Sequence, residues 1–159
     1  MVPGGCMVLS FLGRTSADPS TGECCYQWEL LAEALTGMVS EGRVEEEKIN
    51  SFNALYYAPS VEEVKVEVEQ EGSFLINSLK AFEVEWDAGF STDSANVSSR
   101  GRRVAKTIRA VVESMLESQF GRDIMDDLFV KYAELVDDYY STTVPKYIDL
   151  VISLTRKGP

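Results

Sequence analysis

The chain contains no histidine. That absence removes Ser-His-Asp and Cys-His nucleophilic machinery, imidazole acid–base chemistry and most transition-metal sites. Cysteine is scarce: Cys6 stands alone and Cys24 and Cys25 are adjacent. An odd count with an adjacent pair is a poor disulfide framework, and without a Cys-x-x-Cys spacing no zinc site is expected. Basic residues are outnumbered 15 to 26 by acidic ones, giving a net charge of -11. An acidic surface repels phosphate backbones and anionic lipid, so neither nucleic acid nor a membrane is an expected partner. An anionic small molecule is still admissible, because a buried pocket has its own local field. Long apolar runs are missing too, and no stretch reaches the length of a membrane span. Val2 to Leu12 is apolar but short and lacks the basic start of a signal peptide. The cytosol is therefore the expected compartment, and the sequon Asn96-Val97-Ser98 reads as coincidence.

What is present is an ordinary globular chain of 159 residues, 45% hydrophobic, with the length of one domain. Met7 to Leu12 is an apolar run bounded by glycines, which predicts a strand buried on both faces. Ser20-x-x-Glu23 has the form of a capping box, and Trp28, Leu31, Leu35 and Met38 follow at helical spacing. A short helix is expected over Val44 to Ser51, then an aromatic-rich loop from Phe52 to Pro59. Ser60-x-x-Glu63 is a second capping box, and Gly72 a helix stop. Phe74 to Ile76 and Phe82 to Trp86 read as two strands, and polar Asp87 to Arg100 as a loop. Two amphipathic helices follow, one carrying Val104, Ile108 and Val111, the other Ile124, Leu128 and Tyr132. Tyr147 to Leu154 is a final apolar strand. The first strand wants neighbours on both sides, and this chain offers few.

Seven strings in series carry a resemblance. They are PGGCMVLSFLGR (Pro3–Arg14), ECCYQWELLAEAL (Glu23–Leu35), MVSEGRVEEEKINSFN (Met38–Asn53), YAPSVEEVKVEVEQEGSF (Tyr57–Phe74), IRAVVES (Ile108–Ser114), FGRDIMDDLF (Phe120–Phe129) and VISLTRKG (Val151–Gly158). Together they resemble the SABATH methyltransferases of plants, which methylate salicylate, benzoate, jasmonate and related acids with S-adenosylmethionine (SAM). The resemblance implies an α/β fold: a partial Rossmann-like methyltransferase sheet under a mainly helical cap. Strands are expected near 6–12, 80–87 and 147–155, and the cap near 20–72 and 100–142. Residues 1–159 would then be the C-terminal part of one methyltransferase domain, beginning at a middle strand. The half that holds the cofactor is not in this sequence on that reading, and no Gly-x-Gly turn between a strand and a helix replaces it. No cofactor-binding residue is assigned here.

The chemistry implied is methyl transfer from the sulfonium of SAM to a carboxylate oxygen. A carboxylate is already ionised at neutral pH, so no general base is needed and no catalytic residue is assigned. The protein's work is alignment and exclusion of water. By resemblance, Trp28 is the central acceptor contact, its indole N–H donating to the substrate carboxylate. From pattern alone it would first be a core tryptophan. Leu12, Tyr57, Ile108, Val111 and Tyr147 match further acceptor contacts, the last usually phenylalanine; plain core packing explains Ile108 and Val111 equally well. Gln27 stands where salicylate-type members carry an apolar residue, so the acid stays open. Ser114 and Met115 replace a Glu-Pro pair, which predicts a less kinked helix.

Asn50, Phe52 and Asn53 match a triplet associated with Mg²⁺ in several members, with asparagine where aspartate is usual. Glu45-Glu46-Glu47 reads as a solvated face, and the RGRR cluster at Arg100–Arg103 as a surface feature of a helix start. A small carboxylic acid is the implied partner, and a homodimer is in keeping with the family. A reading from another class also stands: a truncated, non-catalytic remnant or dimerisation and interaction module without a SAM site.

Overall fold

A computed structural model describes residues 1–89 and 98–158. The sequon, and most of the polar loop expected between Asp87 and Arg100, lie outside the described residues. The elements in order are β1 (Cys6–Gly13), α1 (Gly22–Ser40), α2 (Glu46–Ser51), α3 (Val61–Glu71), β2 (Phe74–Glu85), α4 (Arg100–Phe120), a 3-10 turn (Arg122–Ile124), α5 (Met125–Thr142) and β3 (Lys146–Arg156). They form two compact units, Met1–Cys25 with Tyr56–Val84 and Lys146–Pro159, and Tyr26–Leu55 with Glu85–Pro145.

The first unit is a three-stranded sheet with β3 in the middle, in the order β1-β3-β2. β1 pairs antiparallel to β3, from Cys6 opposite Thr155 to Gly13 opposite Ile148. Side-chain pairs Asn77–Thr155 and Glu83–Lys146 show that β2 also runs antiparallel to β3. The strict alternation of β3 explains its place. Ile148, Leu150, Ile152 and Leu154 are buried on one face, where Val64 of α3 packs with Met7, Phe11, Val61 and Val68 around them. Each fully buried aliphatic side chain contributes roughly 1.5–3 kcal/mol of transfer free energy. The α3 boundaries follow from its caps. Ser60 Oγ accepts from the Glu63 N–H, the Glu63 carboxylate accepts from the Ser60 N–H, and Gly72 closes the helix at φ 80°. Gly13 has a packing reason, since a Cβ there would lie 2.4 Å from Leu150 Cγ and 2.8 Å from the Pro59 carbonyl.

Three expectations need correction. β1 is not buried on both faces: Val8 is 66% and Leu9 40% exposed, and β3 is its only strand neighbour among the described residues. The two strands expected between Phe74 and Trp86 are one continuous β2. Its middle, Asn77-Ser78-Leu79-Lys80, breaks the apolar alternation, yet Asn77 pairs across the sheet with Thr155. Ser20 is not a helix cap. Its hydroxyl donates to Asp18, and α1 starts at Gly22.

The second unit is helical. α4 and α5 run antiparallel, with Gly101 against Asp137 at one end and Arg109 against Asp126 at the other. A Cβ on Gly101 would lie 2.0 Å from the Ala133 carbonyl, so glycine sets how closely these helices approach. Val104, Val112, Leu116, Leu128, Tyr132 and Val136 form their buried seam. α4 runs unbroken through Ser114-Met115, as expected without a proline. α1 also lies antiparallel to α5, with Tyr26 stacked near Tyr139 (4.3 Å between ring centroids) and Glu41 accepting from Lys131. No helix among the described residues is long and apolar enough to cross a membrane.

Candidate functional site

In the sheet unit, Leu12 stands one residue before the end of β1, opposite Asp149, and Tyr147 stands two residues from Asp149 on β3. Both belong to the alternation facing away from the α3 core. They therefore share one face and one end of the sheet, and both are half-buried. Tyr57 is elsewhere in this unit. It is 61% exposed and lines a groove with Leu9, Phe11, Pro59, Val64 and Val68, on the α3 side of the sheet. Its phenol donates to Glu63 at 2.9 Å and accepts from Arg14 at 3.5 Å, and the Arg14 guanidinium sits 5.2 Å from its ring centroid.

Arg14 is the residue that sequence reasoning missed. It is 1% exposed and makes a hub. Its Nε donates to the Ser16 carbonyl at 3.0 Å, Nη1 to the Ala58 carbonyl, and Nη2 to Glu63 at 2.6 Å. The Ser60 N–H, then Arg14, hold the Glu63 carboxyl at about 2, well below the usual carboxylate range. The chain leaving β1, the Tyr57 loop and the start of α3 are thus tied together. The one signal was an arginine directly after the glycine that ends an apolar strand; nothing in that spacing reveals its burial.

In the helical unit, Gln27 and Trp28 lie on α1. Gln27 is 6% exposed, and its Oε1 has no hydrogen-bond partner among the described residues. Trp28 is half-buried with its indole nitrogen shielded from solvent. Ile108 is half-buried on α4, one turn before Val111, which is 69% exposed. Core packing in this unit therefore does not account for Val111.

Asn50 is the penultimate residue of α2, and Asn53 lies two residues past its end; both are exposed. Phe52 turns its ring to Phe120, 5.4 Å between centroids, leaving only its carbonyl as a donor. Mg²⁺ prefers near-octahedral oxygen sites with carboxylates. Two exposed amides and one carbonyl do not make such a site, and no group of three or more His, Cys, Asp or Glu able to hold a metal occurs among the described residues. The glutamates of α2 and its cap, Glu45 to Glu47, are exposed, as a solvated face requires.

The RGRR cluster has a use that its spacing did not show. Asp87, 8% exposed, accepts from Arg100 (3.0 and 2.9 Å), Arg103 (2.6 Å) and the Tyr140 hydroxyl (3.2 Å). Arg100 also donates to Glu85, and its guanidinium lies 4.2 Å from the Tyr140 ring centroid. Arg100 and then Arg103 hold Asp87 at about 2, while burial and the Asp87 charge push Tyr140 up to about 12. This is a clamp between the end of β2, the start of α4 and the end of α5.

No strand among the described residues leads through a glycine turn into a helix that could cradle a nucleotide. Gly13, at the end of β1, is filled from both sides by Leu150 and Pro59. The residues present do not fit a SAM site by themselves.

A family model described as SAM dependent carboxyl methyltransferase matches residues 1–157. The chain is 58% identical to a probable jasmonic acid carboxyl methyltransferase 2 of Theobroma cacao, over 99% of this chain and 44% of that protein. It is 52% identical to the jasmonate O-methyltransferase of Arabidopsis thaliana (99% and 43%) and 44% identical to the salicylate carboxymethyltransferase of Clarkia breweri (99% and 45%). Among solved structures, a loganic acid methyltransferase with SAH aligns with a TM-score of 0.77 at 27% identity, over 99% of this chain and 44% of that one. The chain thus spans less than half the length of these relatives. The resemblance carried by the seven strings is borne out, and so is the mixed α/β class.

Proposed function

The chain belongs to the SAM dependent carboxyl methyltransferase family, and on that premise we propose that it supplies the acceptor-holding part of an enzyme that methylates the carboxylate of a small acid. The family match over residues 1–157 carries this reading. SAM provides the electrophilic methyl group when bound, and its binding is assigned to protein outside this chain. The residues here hold and orient the acid. Trp28 offers a neutral indole N–H and a ring wall, and Leu12, Tyr57, Ile108, Val111 and Tyr147 are assigned as acceptor contacts residue by residue. The buried amide of Gln27 adds a polar contact that an unsubstituted benzoate would not use. Identities of 58% to a probable jasmonic acid carboxyl methyltransferase and 52% to a jasmonate O-methyltransferase, against 44% to the salicylate enzyme, make a jasmonate-like acid the first candidate.

The test is a chimera in which these 159 residues replace the matching segment of the Arabidopsis jasmonate O-methyltransferase. Methyl transfer from radiolabelled SAM is measured against jasmonate, salicylate and benzoate. Transfer to at least one acid is expected. A chimera that binds SAM by calorimetry yet methylates none of them refutes the reading.

The second reading, a non-catalytic interaction module, is favoured by one observation: the described residues contain no cradle for the cofactor. Calorimetry of the chain alone decides it. Micromolar SAM binding eliminates this alternative.

A further inference from the structure

The adjacent cysteines have no part in the acceptor chemistry, yet their sulfurs are brought together. Consecutive side chains on an α-helix diverge by about 100° and do not face one another. Cys24 and Cys25, both in the first turn of α1, nevertheless have Sγ atoms 3.6 Å apart. The cause is a shared acceptor. The Pro19 carbonyl takes a contact from Cys24 Sγ at 3.4 Å and from Cys25 Sγ at 3.3 Å. Cys24 is buried, whereas Cys25 is partly open to solvent. From this arrangement we propose that Cys24 and Cys25 are an oxidative modification site, a dithiol that hydroperoxides convert to a vicinal disulfide.

The reaction proceeds in two balanced steps. The accessible Cys25 sulfur attacks the terminal peroxide oxygen. The O–O bond breaks, the alcohol or water leaves after taking a proton, and Cys25 becomes a sulfenic acid. Cys24 Sγ then attacks Cys25 Sγ. The S–O bond breaks, and the departing hydroxide takes the Cys24 proton as water. Two thiols are oxidised by two electrons and one peroxide is reduced. Burial pushes the Cys24 thiol up, which disfavours it as the first nucleophile.

Closure brings the sulfurs from 3.6 Å to about 2 Å and the Cβ atoms to about 4 Å. A helical pair of neighbours cannot do this, so the first turn of α1 must open. The cost is small there. The first N–H groups of a helix have no intrahelical partner, and the Cys24 N–H makes only a 3.3 Å bond to the Thr21 carbonyl. Cys25 stands three residues before Trp28 on α1. Any effect on acceptor binding rests on the role proposed for Trp28; formation of the bond does not.

The test uses the chain carrying Cys6→Ser, since Cys6 is exposed and would cross-link copies. It is treated with hydrogen peroxide, then alkylated under denaturing conditions and read by intact mass and peptide mapping. The expected product is monomeric, lighter by two hydrogens, alkylated at neither cysteine, and restored by dithiothreitol. Adding Cys24→Ser should instead leave a sulfenic acid at Cys25 that dimedone traps. Cys25 over-oxidised while Cys24 remains alkylatable, or a disulfide found only between chains, overturns the proposal. The mass result on the Cys6→Ser chain decides the matter even where the double variant fails to fold.

Discussion

Asp87→Asn tests whether the clamp on α4 and α5 is a stability element of the helical unit. Asp87 is held at about 2 by Arg100 and Arg103, against an ordinary value near 4. A tenfold change in proton affinity is worth about 1.4 kcal/mol, so the charged form is favoured on folding by on the order of 2 kcal/mol. Arg100 is 39% exposed at its side chain and rehydrates when the carboxylate is gone, so its loss adds little; Arg103, at 18%, rehydrates less. The expected cost at pH 7 is therefore about 2 kcal/mol, or a midpoint lowered by about 4–8 °C for a chain of this size. The sign of the pH dependence follows from a depressed carboxylate. The contribution is full above pH about 4 and is lost as pH falls toward 2, so it is roughly halved by pH 3. Urea titrations of the native chain and the variant at pH 7, 4 and 3 read the difference directly. Equal midpoints at pH 7 would refute the magnitude. A difference that stays constant down to pH 3 would refute the electrostatic origin and leave only packing.

Gly13→Ala should destabilise the sheet unit by about 1–3 kcal/mol, because its Cβ meets Leu150 and Pro59; a urea midpoint no lower than that of the native chain contradicts the packing account. Ser60→Ala removes half of the α3 capping box and should cost about 1 kcal/mol, read as faster amide exchange in the first turn of α3 with little change in α5. In the chimera, Trp28→Ala should reduce kcat/KM for the acid by at least tenfold, about 1.4 kcal/mol of transition-state stabilisation, while the SAM Kd stays within twofold. Parallel loss of both would place Trp28 in the core and not at the acceptor. In the same chimera, raising salt should leave KM for the acid nearly unchanged, since neutral donors are screened far less than ion pairs.

How far the sequence could be read depended on where the deciding information lay. α3 was legible because Ser60, Glu63 and Gly72 are local signals, and each performs the function that its spacing implies. α4, α5 and β3 were legible because their apolar periods are long and unbroken. β1 has the composition of a strand covered on both faces, but coverage is a property of neighbours, and among the described residues it has one strand beside it. The continuity of β2 was hidden because Asn77 earns its place by a cross-strand partner 78 positions away. The same applies to Arg14 and Asp87. Both are charged residues that composition assigns to the surface, and both are buried by partners distant in sequence. As for acceptor contacts, the periodicity of α1 could offer Trp28 only as a core residue. The family strings alone distinguished Trp28 and Gln27 from the leucines around them.

The charge distribution bears on how a carboxylate would be chosen. Arg14 is occupied by Glu63, Arg100 and Arg103 by Asp87, and Arg109 by Glu113 and Asp126. These guanidiniums, the groups best suited to bidentate capture of an acid, are already paired within their own units. An acid held by Arg would also be a poorer nucleophile, because the ion pair stabilises the ground-state charge that methylation removes. On the proposed reading, a neutral donor such as the Trp28 indole would orient a carboxylate oxygen and withdraw less of that charge. Among the described residues the buried cation is Arg14, and it is occupied; on the proposed reading, selection among acids would therefore come from shape and from polar contacts such as Gln27, and the body of the acid, more than its carboxylate, would be the part this chain discriminates.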